Sequence, residues 1–338
     1  MALEAGSDEA IRSLVTVRDW LRYAVGRFNR AGLGYGHGTS SALEDAAFLI
    51  LETLRLPIDD INPWLDARLL DMERYMLAER VETRVKRHVP TAYLVNAAYV
   101  QGRRFYVDER VIVPRSYIGE LIAINRLSAA VAENAPVTDI LDLCTGSGCL
   151  AILAAEAWPT ASVDASDISV DALMVAQKNV AAYRLDQRVH LLQGDLFAPV
   201  ADRRYDLIIA NPPYVAQASI DAFPREHRAE PPIAHAGGTD GLDIVRRILT
   251  DAAAHLKQSG TLVVEIGRGR SVLQHERPDL DFLEYAYDLI YRRYPVDAGR
   301  QALLGYSDGA SYALALGLSN PRLFSAVMAW AAGFLAID

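Results

Sequence analysis

The first part of the chain has its apolar residues spaced for helices. They recur every three or four positions over residues 16–30, which predicts an amphipathic helix that Thr16 can cap at its start. The same spacing predicts further helices over residues 43–54 and 71–88, the second of which ends before Pro90. We therefore expect a small helical domain at the amino end of the sequence.

The period of the pattern then changes twice. Between residues 97 and 113, short alternating runs flank Gln101-Gly102, which predicts a β-hairpin. From Thr138 onward, short apolar runs typical of strands alternate with helical stretches, and this βαβ order predicts an α/β fold with a doubly wound, mainly parallel sheet. The predicted strands cover residues 140–143, 162–165, 189–192, 207–210 and 261–266, and the predicted helices cover residues 148–157, 170–182 and 242–256.

Composition and charge limit the partners of such a fold. The chain has 338 residues, 51% of them hydrophobic, which allows a sizeable core and more than one domain. Its formal net charge of −9 disfavours a nucleic-acid partner, because such binding depends on Lys and Arg neutralising phosphates. An acidic surface suits a basic protein instead. We expect a protein substrate, with no direct contact to nucleic acid.

The cysteines and the ends of the sequence carry no sign of a metal site, a signal peptide or a membrane anchor. Cys144 and Cys149 form no CxxC pair and have no cluster at metal-ligand spacing, so we predict reduced thiols and no metal. The first ten residues lack the apolar core of a signal peptide, which favours a cytoplasmic location. The run from Leu323 to Ile337 is apolar but too short to span a bilayer easily, so we expect a buried helix there.

Two polar motifs follow the first two predicted strands of the sheet. Asp142-Leu-Cys-Thr145-Gly146-Ser-Gly148 places two glycines where the backbone can turn tightly and approach a ligand, just before a helix N-terminus. Asp167 lies about 19 residues after Gly148, where a carboxylate in nucleotide-type sites accepts hydrogen bonds from ribose hydroxyls. A turn and a helix cap are the structural alternatives, but the pair favours a nucleoside ligand. It does not separate NAD from S-adenosylmethionine.

Asp195 and Phe197 follow the third predicted strand. The Asp195 carboxylate can accept a hydrogen bond from an adenine amino group, and Phe197 can offer a stacking surface beside it. An aspartate in a turn is the structural alternative. We expect both residues in the nucleoside site.

The segment Asn211-Pro212-Pro213-Tyr214 ends the fourth predicted strand. The prolines remove backbone donors, which leaves carbonyls that only accept, and the side-chain oxygen of Asn211 adds another acceptor. Two acceptors can hold the two N–H groups of a primary amide or an exocyclic amine, while Tyr214 covers the planar group. A proline-rich turn is the alternative, but the position at the carboxyl end of the sheet favours methyl transfer to such a nitrogen.

These motifs together resemble those of the protein glutamine methyltransferases that act on translation proteins, over a run from about Thr16 to Phe282. The resemblance implies a class I, Rossmann-like methyltransferase that uses S-adenosylmethionine. The family motifs D-x-x-T-G-S-G, the acidic residue after the second strand, N-P-P-Y, V-x-V-P-R and E-x-G correspond to residues 142–148, Asp167, residues 211–214, 111–115 and 265–267.

The resemblance also assigns roles to these residues. It implies that Asn211 and the Pro212 carbonyl bind the amide of a substrate glutamine, and that Gly146, Asp167 and Asp195 help to bind S-adenosylmethionine. We therefore predict that Asn211, Pro212 and Tyr214 form the catalytic site. The predicted cofactor-binding residues are Asp142, Thr145, Gly146, Gly148, Asp167, Asp195, Phe197 and Asn211.

Two branches of this family differ in their substrate. One methylates the Gly-Gly-Gln loop of peptide release factors, and the other methylates the third protein of the large ribosomal subunit. Residues 35–39, 106–116 and 227–231 resemble the ribosomal-protein branch more closely, which favours a basic ribosomal protein as substrate.

Other functions fit parts of the sequence. An adenine amino-methyltransferase uses a similar Asn-Pro-Pro-Tyr site, but it must flip a base and hold phosphates, which the acidic composition disfavours. A module that binds S-adenosylmethionine without catalysis is a second alternative, against which the intact Asn211–Tyr214 segment speaks. A third is a serine esterase, because residues 299–318 resemble the nucleophile elbow of an α/β-hydrolase around Ser307. Its triad requires a later histidine, and none follows Ser307 in this sequence.

The tail after about Glu284 departs from the family pattern, so we predict a structural role for it, with a strand over residues 302–305 and a helix over residues 311–318. The predicted domains are a helical substrate-recognition domain (1–90), a β-hairpin linker (91–116), a methyltransferase domain (117–284) and an atypical hydrolase-like tail (285–338).

Overall fold

The computed structural model describes residues 5–123, 127, 136–267, 269–280, 302–306 and 326–330. The chain divides into two compact units, residues 1–273 and residues 274–338. The first unit contains a helical region and a parallel sheet, and the second contains a pair of strands.

The amino-terminal region is helical, as the spacing predicts. The second helix begins at a capping box in which the Asp19 N–H donates to the Thr16 hydroxyl at 3.2 Å and the Thr16 N–H donates to the Asp19 carboxylate at 3.0 Å. The buried stripe of this helix includes Trp20 and Phe28, both at 0% exposure. The helices of this region are α1 (Ala5–Ser13), α2 (Val17–Ala31), α3 (Ala42–Leu54), α4 (Asp71–Arg87) and α5 (Thr91–Leu94).

A hairpin and an extended segment connect the helical region to the sheet. Strands β1 (Ala98–Val100) and β2 (Arg103–Phe105) pair antiparallel around Gln101-Gly102, which confirms the predicted hairpin. Val107, Val111 and Val113 then pack against a helix of the sheet region in one apolar cluster. This packing fixes the course of the chain just before residues 115–117, which enter the site described below.

The sheet has five parallel strands in the order β5-β4-β3-β6-β7, so the predicted α/β architecture is confirmed. Because all five strands run the same way, their carboxyl ends meet at one edge, where ligands bind in open α/β sheets. The strands are β3 (Asp139–Leu143), β4 (Ser162–Asp167), β5 (Val189–Gln193), β6 (Tyr205–Ala210) and β7 (Leu256–Val264). The helices are α6 (Tyr117–Ala123), α7 (Cys149–Ala157), α8 (Val170–Ala182), α9 (Gln217–Asp221), α10 (Asp243–His255) and α11 (Arg270–Glu276).

The second unit tests two predictions about the tail. Strand β8 (Ala302–Tyr306) confirms the predicted strand, and it pairs parallel with β9 (Ala326–Trp330). The predicted helix over Leu323–Ile337 is therefore wrong at Ala326–Trp330. The segment Ala326–Trp330 contains no polar residue that would set a period, and such a run fits a buried strand as well as a buried helix. The predictions for Ser307 and residues 311–318 lie outside the described residues.

Candidate active site

The loop after β3 is built around the buried carboxylate of Asp142, which has 0% exposure. Its Oδ2 accepts from the Thr145 hydroxyl at 2.5 Å and from the Ala151 N–H at 3.1 Å, so one side chain joins the loop to the first turn of α7. Oδ1 is buried and has no partner among the described residues. Burial raises the pKa of Asp142 to about 7, although the bond from Thr145 opposes this shift.

Gly146 and Gly148 adopt left-handed conformations, with φ of 56° and 79°. A side chain at Gly148 would meet the Cβ of Ala176 at 3.1 Å, so this glycine lets α8 approach the loop closely. A Cβ at Gly146 would meet nothing within 4 Å, so the space beside that residue is open among the described atoms. The two glycines therefore serve different purposes: the second allows packing, and the first lines open space.

Asp167, at the end of β4, holds the glycine loop from the neighbouring strand. The Gly146 N–H donates to its Oδ2 and the Ser169 N–H to its Oδ1, both at 2.9 Å. Burial raises its pKa, against the effect of these backbone bonds. The helix cap that was the structural alternative is supplied by Ser169, whose hydroxyl accepts from the Ala172 N–H at 3.2 Å. The next residue after Asp167, Ile168, is 53% exposed.

Asp195 and Phe197 follow β5, as the sequence predicts, but they face different surroundings. Asp195 is about half exposed and pairs with Arg247 at 2.7 Å. Phe197 is 5% exposed, and its ring stacks on His255 with centroids 4.6 Å apart. We therefore withdraw Phe197 from the predicted cofactor site, because its ring is used in the core beneath the sheet. Leu196, just before it, has a left-handed φ of 51° and is also buried, at 7% exposure.

Asn211 lies at the end of β6 with its amide fixed in one orientation. Its Nδ2 donates to the Arg115 carbonyl at 3.1 Å, so the side-chain oxygen faces away from that contact. Neither this oxygen nor the Pro212 carbonyl accepts a hydrogen bond from the residues that the structure describes. The pair of free acceptors predicted from the sequence is thus present at the carboxyl edge of the sheet.

Tyr214 is held by Glu265, which follows β7. The Tyr214 hydroxyl donates to Oε1 of Glu265 at 3.1 Å, and Oε2 accepts from the Ser116 hydroxyl at 2.6 Å and the Tyr117 N–H at 3.0 Å. Burial and the adjacent carboxylate raise the pKa of Tyr214 well above its usual range, so it remains a neutral phenol. Gly267 lies so close that a Cβ there would meet the Tyr214 ring at 2.8 Å. The ring is therefore confined on more than one side.

A second carboxylate, Glu230, brings together three segments of the chain: residues 113–115, His37 and His235. Its side chain has 0% exposure, and it accepts from the Val113 N–H at 2.9 Å and from two nitrogens of Arg115 at 3.1 and 2.9 Å. Nε2 of His235 and Nε2 of His37 lie 3.1 and 3.5 Å from Oε2, off the hydrogen-bond direction but within ion-pair distance. Burial opposes ionisation, but these imidazoles and the Arg115 charge outweigh it and hold the pKa of Glu230 well below its usual range.

Glu226 lies on the short 3-10 turn (Arg225–Ala229) that ends just before Glu230, and it makes a parallel set of contacts to the helical region. Its carboxylate accepts from the Gly34 N–H at 2.9 Å and lies 2.8 Å from Nδ1 of His88 and 3.5 Å from Arg84. Residues 227–231 resemble the family in sequence, but nothing in the sequence alone indicated that two glutamates in and beside them are buried. Their partners lie far away along the chain, and only the fold brings them together.

Other features of the described residues lie apart from this site. A cavity of about 570 Å³ is lined by residues that include Asp164, His190 and Arg203, at the amino ends of the strands. Within the described ranges there is no group of three or more His, Cys, Asp or Glu side chains placed to hold a metal ion. No helix in the described part of the chain is long and apolar enough to cross a membrane.

Known proteins match this chain over most of its length. Residues 123–224 match the family described as "Methyltransferase small domain". A ribosomal protein uL3 glutamine methyltransferase from Bradyrhizobium diazoefficiens is 51% identical over 80% of this chain and 86% of its own length. Proteins of the same name from Burkholderia pseudomallei and Bordetella pertussis are 52% and 50% identical, over 76% and 80% of this chain and 85% and 90% of their own lengths. The chain belongs to the ribosomal protein uL3 glutamine methyltransferase family.

Proposed function

We propose that this chain transfers a methyl group from S-adenosylmethionine to the side-chain amide nitrogen of a glutamine in ribosomal protein uL3. The observation that carries the proposal is the orientation of Asn211. Because its Nδ2 is held by the Arg115 carbonyl, its Oδ1 is left as an acceptor beside the Pro212 carbonyl. These two oxygens match the two N–H groups of a primary amide.

The two acceptors also explain how an amide nitrogen can react. Its lone pair is delocalised into the carbonyl group, so the nitrogen is a weak nucleophile. Hydrogen bonds from both N–H groups to Asn211 and Pro212 hold the amide plane in one orientation, which directs a face of the nitrogen towards the incoming methyl group. Tyr214, confined by Glu265 and Gly267, covers the planar group from one side.

When bound, S-adenosylmethionine supplies an electrophilic methyl group on a sulfonium. In the transfer, the methyl carbon–sulfur bond breaks, a carbon–nitrogen bond forms, and the amide nitrogen loses one proton. The products are S-adenosylhomocysteine, N-methylglutamine and a proton that leaves to solvent. Asn211 and Pro212 hold the amide through this step and need not be protonated themselves, because neither oxygen is basic.

The loops after β3 and β4 offer the groups that this donor requires. Asp142 has a buried, unpartnered Oδ1, which fits a donor such as the amino group of the methionine part. Gly146 borders open space, and Asp167 keeps one acceptor position on each oxygen for ribose hydroxyls. Thr145 shapes this loop through the bond from its hydroxyl to Asp142, and Gly148 through the close approach of Ala176.

The adenine ring needs an apolar surface and a polar partner. We assign the apolar surface to Ile168, which is 53% exposed beside Asp167, in place of the buried Phe197. Asp195 keeps its predicted role as an acceptor for the adenine amino group, although it must share its carboxylate with Arg247.

Recognition of the protein substrate is assigned to the helical region. We propose that residues 1–90 form the substrate-recognition domain, residues 91–116 the β-hairpin linker, residues 117–284 the methyltransferase domain and residues 285–338 an atypical hydrolase-like tail with a structural role. The named relatives act on uL3, and an acidic chain of net charge −9 suits a basic ribosomal protein. We place the reaction in the cytoplasm, where ribosomal proteins are made, with no role for nucleic acid or membrane.

The direct test is methylation of candidate proteins by the purified chain. Labelled S-adenosylmethionine is incubated with unmethylated uL3 and, separately, with an unmethylated release factor, and the products are mapped by tandem mass spectrometry. We expect a gain of one methyl group on a uL3 glutamine and none on the release factor. Labelling of the release factor alone would move the substrate to the other branch, and labelling of neither protein would overturn the proposed function.

A further inference from the structure

Glu230 is a charged residue whose side chain is fully buried. Removing a carboxylate from water is strongly unfavourable, and only close partners offset that cost. Glu230 has such partners in two nitrogens of Arg115, the Val113 N–H and the imidazoles of His37 and His235. None of these contacts touches the acceptor oxygens of Asn211 or Pro212 directly.

We propose that Glu230 is a positioning residue that orients Asn211 through Arg115, an inference that rests on the proposed function. Arg115 is the only link in this path that contacts both sides. Its guanidinium is held by both oxygens of Glu230, and its backbone carbonyl accepts from Nδ2 of Asn211.

The direction of the Arg115 carbonyl decides which end of the Asn211 amide faces the substrate. An amide has a donor end and an acceptor end, and the two differ little in shape. With the carbonyl in place, the donor end is occupied and the acceptor end is presented. If the carbonyl turned away, Asn211 could rotate and present N–H groups to a substrate amide that also presents N–H groups.

Glu230 fixes that carbonyl from two points on the same short segment. The Val113 N–H, two residues before Arg115, donates to Oε1, and the Arg115 side chain forms a two-nitrogen fork on both oxygens. A fork of this kind fixes direction as well as distance. These two anchors hold the backbone from Val113 to the Cα of Arg115, the atom from which the Arg115 carbonyl group extends towards Asn211.

The substitution Glu230→Gln tests this role with little change of shape. A glutamine has one acceptor oxygen, and because both oxygens of Glu230 accept from Arg115, the NH₂ group of a glutamine faces Arg115 in either orientation and the two-nitrogen fork is lost. We expect kcat to fall by about ten- to a hundredfold, the range caused by small misplacements of reacting groups. The Kd for S-adenosylmethionine and the KM for uL3 should change by less than about twofold, since neither site contains Glu230.

Glu226→Gln is the matched control. Glu226 lies on the 3-10 turn just before Glu230 and is also buried, at 2% exposure, but its partners are Gly34, Arg84 and His88 rather than residues 113–115. We expect Glu226→Gln to lose about as much thermal stability as Glu230→Gln, while its kcat stays near that of the wild type. A purely structural role for Glu230 predicts instead that the two variants behave alike.

Two results would overturn the inference: a folded Glu230→Gln variant with normal kcat, or an equal fall of kcat in Glu226→Gln. If Glu230→Gln does not fold, Arg115→Lys replaces it, because a lysine keeps the charge but cannot form the fork. It should lower kcat severalfold at unchanged Kd, and normal turnover in that variant also overturns the inference. If the wild type methylates a release factor instead of uL3, the same comparison of kcat is made on that protein; if it methylates neither, both proposals fail.

Discussion

Replacing Asp167 by alanine should weaken the binding of S-adenosylmethionine without unfolding the protein. Each carboxylate oxygen can accept about two hydrogen bonds. The structure uses one position on each, for the N–H groups of Gly146 and Ser169 at 2.9 Å, and the remaining positions are those we assign to the ribose hydroxyls. Asp167→Ala therefore removes the ribose contacts and also releases the glycine loop.

The magnitude follows from the charge of the acceptor. A hydrogen bond to an ionised group contributes about 1.5–3 kcal/mol. Losing that contribution raises the Kd by about ten- to 150-fold. Asp167→Asn should lie between the wild type and alanine, because an amide keeps one acceptor oxygen and turns the other position into a donor.

Isothermal titration calorimetry with S-adenosylmethionine measures this change directly, with circular dichroism to show that each variant is folded. Asp171→Ala is the control, since Asp171 is an exposed acid in the first turn of the same helix α8 and contacts none of the proposed site. A folded Asp167→Ala variant with wild-type affinity would remove this residue from the site. An equal loss in Asp171→Ala would show that net charge, and not the ribose contact, sets the affinity.

Three further outcomes are expected. Asn211→Ala should reduce turnover on uL3 by at least about a hundredfold while the calorimetric Kd for S-adenosylmethionine stays within about threefold, and near-normal turnover would refute the amide clamp. The folded-state pKa of Asp142, near 7, exceeds its value of 3.8 in an unfolded chain, so its contribution to stability is lost as the pH rises between these values. The free energy of unfolding, measured with urea at pH 4.5 and 7.5, should therefore decrease with pH by less in Asp142→Asn than in the wild type. The difference should be up to about 3 kcal/mol, and equal decreases would contradict the raised pKa. Ser307 should not react with a fluorophosphonate probe, because no later histidine can take its proton; stoichiometric labelling that disappears in Ser307→Ala would show an active hydrolase.

The parts of the site that follow strand ends could be predicted from the sequence. Parallel strands place their carboxyl ends at one edge, so Asp142, Asp167 and Asn211 had to lie near one another once the strands were recognised. The acceptor chemistry of Asn211 and Pro212 also follows from residue type alone. What no pattern could show is which end of the Asn211 amide faces outward, because that depends on the Arg115 carbonyl, 96 residues away.

The failures have equally specific causes. The sequence predicts Phe197 beside the nucleoside, whereas the structure buries its ring against His255, a contact between distant residues that no sequence pattern shows. No pattern in the sequence points to Glu230, because acidic residues usually lie on the surface and its partner Arg115 lies 115 residues earlier in the chain. The uncharged run that contains the strand Ala326–Trp330 has no period that separates this strand from the predicted helix.

The proline that follows Asn211 has a consequence for the chemical lifetime of the protein. Asparagine side chains age by deamidation, in which the backbone nitrogen of the next residue attacks the amide carbonyl to form a succinimide ring. The nitrogen of Pro212 carries no hydrogen and is already fully substituted, so this ring closure is blocked at the one asparagine whose amide the proposed reaction needs. Pro212 thus also protects Asn211 from slow conversion to aspartate. That conversion would replace the Nδ2 donor, which faces the Arg115 carbonyl, with a carboxylate oxygen that the carbonyl oxygen repels.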